Sequence, residues 1–199
     1  MRSTILILLS AALIACSGEK QPPGYQKLSK EPISVRGWIA DVEANSANTR
    51  FRTAETEAAR RAELFQAANV WVDNAPYVSG AIAENGAFVL LDLPPGNVTI
   101  TFSAPGAPSA LIPLEGIPGN ADLMVGGLLL TSRGAVLTDP KLLQVRIAGP
   151  VSKPTPTNQI VKVAGISVRV VQVPINSLQD RHDYPTPPPE KGAPLAIVK

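Results

Sequence analysis

The chain has 199 residues, 45% of them hydrophobic and 17% charged, with a formal net charge of +2. Soluble domains average about 25% charged residues, so this one is lightly charged, and a balance this close to zero excludes a strongly basic nucleic-acid binder. One cysteine and one histidine exclude a disulfide scaffold, a Cys/His zinc site and most histidine-based catalysis.

Met1, Arg2 and Ser3 make a short start with one cation, and residues 5–15 are apolar apart from Ser10. A helix needs about 20 such residues to cross a bilayer, so 1–15 suits a signal peptide instead. The stretch ends in Leu13, Ile14, Ala15 and Cys16, which resembles the lipobox of bacterial lipoproteins. The chain's one cysteine falls at the obligatory position. The resemblance implies that Cys16 becomes the mature first residue, carrying a diacylglycerol thioether and usually an N-acyl chain such as palmitate. Several acyl chains anchor stably where one is marginal. Ser17 in place of the aspartate of inner-membrane retention implies the outer membrane, facing the periplasm. The lipidated Cys16 and a flexible tether then fill 16–32, with Pro22, Pro23 and Gly24 inside. The tether reaches up to ~50 Å when extended.

Ile33–Val42 alternates, with Ile33, Val35 and Ile39 on one face and Arg36, Trp38 and Ala40 on the other, as a strand does. Residues 53–66 place Ala54, Ala58, Ala62 and Phe65 at helical spacing, acidic early and basic later, in accord with the helix dipole. Short strands follow, over 69–73, 78–83, 87–93, 97–104, 110–115 and 122–130. They are punctuated by Glu84–Asn85–Gly86 and Pro94–Pro95–Gly96. Strands at this spacing predict an antiparallel β-sandwich.

The order of these motifs resembles the carboxypeptidase regulatory-like domain. Its marks here are Ala68–Asn69–Val70–Trp71–Val72, then Glu84–Asn85–Gly86–Ala87–Phe88, then Leu93–Pro94–Pro95–Gly96–Asn97–Val98–Thr99–Ile100. The resemblance implies a transthyretin-like (prealbumin-like) sandwich over 33–130, mainly β, with a helical insertion at 44–66. That insertion is longer than the family carries at this point, and Val98 stands where an aromatic is usual.

Beyond the match, residues 143–147 alternate, and 160–174 reads as a hairpin about Ala164–Gly165 or as one strand bent by a glycine bulge. A C-terminal β extension of two or three strands over 131–182 is expected to lengthen or cap the sandwich. The tail 183–199 holds five prolines.

Zinc carboxypeptidases need a pair of histidines, and His182 stands alone, so peptidase activity is excluded. There is no GxSxG, phosphate loop or EF-hand pattern. Asp41, Asp73 and Asp92 read as ordinary strand-end solvation, and no cofactor or metal is expected. Trp38 and Trp71 fall opposite the core-facing Val and Ile positions. They are either an exposed stacking surface for a protein or glycan, or the face that the helix covers. Residues 17–122 carry eight Lys/Arg against twelve Asp/Glu, whereas 123–199 carry nine against four. Arg146, Lys162 and Arg169 therefore either form a basic contact face or guard a solvated edge. The expectation is a non-enzymatic envelope lipoprotein that binds or scaffolds a protein or glycan at the membrane. The alternative is an accessory lipoprotein of a secretion or transport complex.

Overall fold

A computed structural model describes residues 33–42, 54–105, 109–131 and 133–188, with the side chains of 54–57 left aside. Cys16, the signal segment, the tether and part of the expected insertion lie outside the described residues. The chain is mainly β. In order, the strands are β1 (Ile33–Val42), β2 (Asn69–Val72), β3 (Ala75–Ala81), β4 (Ala87–Leu93), β5 (Gly96–Ser103), β6 (Ala110–Ile117), β7 (Ala121–Thr131), β8 (Gly134–Leu137), β9 (Leu143–Gly149), β10 (Thr155–Val163) and β11 (Ile166–Pro174). Among the described residues one α-helix, α1 (Ala54–Gln66), lies between β1 and β2, and a 3-10 segment (Ile175–His182) follows β11.

All eleven strands of the described residues belong to one sheet, in the order β3-β2-β5-β6-β10-β11-β9-β7-β1-β4, with β8 paired to β7. The two end strands lie side by side, so the sheet is nearly closed into a barrel. The ladders thus run through one sheet where the strand spacing predicted two stacked ones. The strands after residue 131 make this difference. Of these, β10, β11 and β9 lie between β6 and β7, and β8 pairs with β7 alone. Two pairings are parallel, β1 with β7 and β9 with β11.

The turns follow from local chemistry. Ala83 N–H donates to the Ala87 carbonyl at 2.8 Å, and Asn85 Oδ1 accepts from Ala87 N–H at 3.1 Å, closing the turn between β3 and β4. Between β10 and β11, Ala164 and Gly165 have φ of 49° and 80°. Two successive positive φ values match the twist of the flanking strands, so the hairpin reading of 160–174 is the one that forms.

One continuous core fills the barrel. Phe88 and Phe102 meet edge to face at 5.1 Å between centroids. Val70, Val72, Leu90, Ile100, Ile112, Leu123, Val161 and Val170 surround them, each at most 1% exposed. Phe65 carries the helix into this core, against the Gly86 turn. Arg61 of α1 donates to the Ala40 carbonyl at 3.3 Å, and Gln66 Nε2 donates to Glu84 Oε1 at 2.5 Å. These bonds tie α1 to the end of β1 and to the β3–β4 turn.

Candidate functional site

β1 is the most thoroughly covered strand, and its outward side chains organise the candidate site. Ile33, Val35 and Ile39 face the core, so Ser34, Arg36 and Trp38 face outward. All three are nonetheless buried, because the chain after β11 runs across them. This strap, residues 175–188, packs its 3-10 segment on β11, β9 and β1. Its Leu178 is buried.

An ionic cluster fixes the strap. Asp122 of β7, with no exposed surface, accepts from Ser34 Oγ at 3.0 Å and from Arg36 Nη2 at 3.4 Å. It also accepts from Arg146 Nε at 2.9 Å and from Arg146 Nη2. Asp180 of the strap accepts from Arg36 Nη2 at 2.8 Å, and its carbonyl accepts from Arg36 Nη1 at 2.7 Å. Arg146 also reaches Asp180 Oδ1 at 3.4 Å. Two carboxylates and two guanidiniums thus alternate across β1, β7, β9 and the strap. A buried carboxylate needs this partnering, since an unpaired one would be neutralised instead. The sequence signal was Asp122 near the start of the otherwise apolar run 121–130, which calls for a nearby cation.

Trp38 is 9% exposed, and its six-membered ring lies flat against Gly126: a Cβ built there would sit 2.3–2.7 Å from the indole carbons. It lines a cavity of about 710 Å³ whose walls are Ile39 of β1, Ala58, Arg61 and Phe65 of α1, Leu142, and Pro187 and Pro188 of the strap. Trp38 is therefore a covered residue, with α1 forming part of the cover.

Trp71 differs. It is half-buried on the outer face, opposite Val70 and Val72, and pairs with Ser79 of β3 and Thr101 of β5. Thr101 in turn pairs with Leu111 of β6, which is 48% exposed. Thr101 Oγ1 donates to Asp73 Oδ1 at 2.5 Å. The next outward pair along these strands, Thr99 with Pro113, borders a cleft of about 370 Å³. Asp73, Asn74, Asn97 and Glu115 line the same cleft. Asn74 Nδ2 donates to the Asn97 carbonyl at 3.2 Å, and Asn97 Oδ1 accepts from Gly116 N–H at 2.9 Å.

The three basic residues do not act alike. Arg146 belongs to the ionic cluster, and exposed Lys162 pairs with Glu115 at 3.4 Å. Arg169 makes no ion pair among the described residues; it is exposed and shares with Arg146 a shallow cavity of about 380 Å³. A charge reversal at all three positions would therefore break the Asp122 cluster. Of the three, Arg169 is the one whose charge has no ion-pair partner among the described residues. Asp41, Asp73 and Asp92 do not converge, and no group of three or more metal-ligating side chains gathers among the described residues. Neither a family model nor a curated protein matches the chain.

Proposed function

We propose that this protein is a non-enzymatic bacterial envelope lipoprotein, anchored through Cys16, probing the periplasmic side of the outer membrane for a protein or glycan partner. The lipobox-like Leu13–Ile14–Ala15–Cys16 supports the anchoring, and the long polar tether 16–32 supports a body held off the membrane. The carboxypeptidase regulatory-like motifs fall on β2, the β3–β4 turn, β4 and β5. In this reading 33–130 descends from a transthyretin-like module, and β9–β11 are an addition to its sheet.

One observation carries the binding role. Trp71 sits half-buried on the outer face of β2, beside a cleft lined by Asp73, Asn74, Asn97, Thr99 and Glu115, of which Asp73, Asn74 and Asn97 are held by hydrogen bonds. An indole ring stacks on the apolar face of a sugar while planar polar groups take its hydroxyls, so a glycan suits this face best. Co-sedimentation of the full chain with insoluble peptidoglycan tests it. Wild type should pellet with the glycan, and Trp71→Ala should weaken the association about two- to tenfold, in line with a lost aromatic contact. Failure of wild type to pellet, or equal pelleting of Trp71→Ala, overturns the glycan reading.

A further inference from the structure

We infer that the Trp38 cavity is a second binding site, built for the alkyl chain of a lipid-like amphiphile. This does not depend on the Trp71 face, which lies on β2, β5 and β6. At about 710 Å³ the cavity is in the range of small-molecule sites. Its apolar walls come from four separate parts of the chain: Trp38 of β1, Phe65 of α1, Leu142 before β9, and the strap prolines Pro187 and Pro188.

Several of the polar atoms around it are engaged within the chain. Arg61 donates to the Ala40 carbonyl, Glu84 Oε1 accepts from Gln66, and Asn85 Oδ1 accepts from Ala87 N–H. Thr138 Oγ1 donates to the Gly127 carbonyl at 2.7 Å, and Thr138 N–H donates to the same oxygen at 2.9 Å. Trp38, Ile39, Phe65, Leu142, Pro187 and Pro188 dominate the lining, which favours an alkyl chain over a sugar or peptide. An alkyl chain gains contact with indole, phenyl and pyrrolidine surfaces. The rigid floor also favours a permanent site over a collapsed one: the indole is stacked on Gly126, with the barrel behind it.

The alkyl chain has two possible sources, a free amphiphile or the lipid that the lipobox would place on Cys16 of the same chain. The experiment separates them. The full chain carrying Cys16→Ser and Trp71→Phe leaves Trp38 as the one fluorophore of its kind. It is titrated with saturated fatty acids of eight to fourteen carbons below their micelle concentrations, and with a dibrominated fatty acid that quenches indole on contact. Saturable binding is expected, tightening about three- to fourfold per added methylene until the cavity is full. Trp38 emission should be quenched by the brominated ligand. Ala58→Trp places a large ring on the exposed helix residue that borders the cavity, and should abolish both signals. Lys162→Ala, remote from the cavity, should leave them unchanged. Repeating the titration on the lipidated chain identifies the source: retained affinity assigns the cavity to a free amphiphile, and lost affinity assigns it to the chain's own lipid. Absence of saturable binding overturns the proposal, as does binding that Ala58→Trp leaves intact or that spares Trp38 from quenching. None of these outcomes bears on whether Cys16 is lipidated, which fractionation reads separately.

Discussion

At the scale of single residues, Asp122 has the most demanding environment in the molecule. It lies wholly inside, and both arginines that neutralise it are held by other elements. Asp122→Asn keeps the volume but leaves Arg36 and Arg146 facing one another around a neutral amide. Breaking one side of such a buried arrangement costs about 3–5 kcal/mol, to be read from denaturant unfolding. Asp180 is the exposed member, with 54% of its side chain accessible. Burial alone would push its pKa up, but the hydrogen bond from Arg36 and the charges of Arg36 and Arg146 outweigh that and hold it below 3.8. A depressed carboxyl contributes stability above its unfolded value and loses it as the pH falls through the folded one. Asp180→Asn should therefore be less stable than wild type at neutral pH, with the gap closing only below about pH 3.8. A gap that is constant from pH 7 to pH 2 would mean that Asp180 does not stabilise through its charge. None of this cluster was legible beforehand. The sequence offers a charge in an apolar run, but the partners of Asp122 lie up to 88 residues away and Arg36 and Asp180 are 144 apart.

At the scale of elements, β7 turns on the pair Gly126–Gly127. The pairing of β1 with β7 slips between Gly37 and Ile39, opposite these glycines, so the two strands stay neighbours through a bulge. Gly126→Ala would press a methyl into the Trp38 ring, and should destabilise by about 1–3 kcal/mol as an overpacked site does. Trp38→Phe added to Gly126→Ala should recover part of that loss, since the clash needs the larger ring. Additive losses in the double variant would show that the strain lies in the β7 backbone. Much at this scale was readable. The helix expected at 53–66 forms as Ala54–Gln66, the Glu84–Asn85–Gly86 turn joins two strands, and the outward placement of Trp38 and Trp71 follows from the alternation. Strand neighbours were not readable. A period of two tells which face a side chain takes, but it is silent on which strand lies alongside. That is why β9, β10 and β11 looked like an appendage and prove to be the middle of the sheet. It is also why a covering for Trp38 could be expected from the helix but not from the strap.

For the whole molecule, the anchoring proposal makes a direct statement about where the barrel is found. Wild type should fractionate with membranes and be released by detergent, and Cys16→Ser should lose acylation and with it tight, detergent-sensitive association. Identical fractionation of the two with the soluble periplasm would remove the lipobox reading while leaving the barrel and the placement of its two tryptophans untouched. The placement of β1 has a further consequence, for the order of events in time. β1 is the first of the described strands to be made, yet it waits long for its partners. One neighbour arrives with 87–93, the other with 121–131, and Asp180 reaches Arg36 only after nearly the whole body has emerged. Contacts so distant along the chain close slowly, on the order of milliseconds to seconds. Until 121–131 has been made, at least one edge of β1 stands open to any other unpaired strand. A nascent chain built in this way depends on being kept apart from its copies until its own β7 arrives.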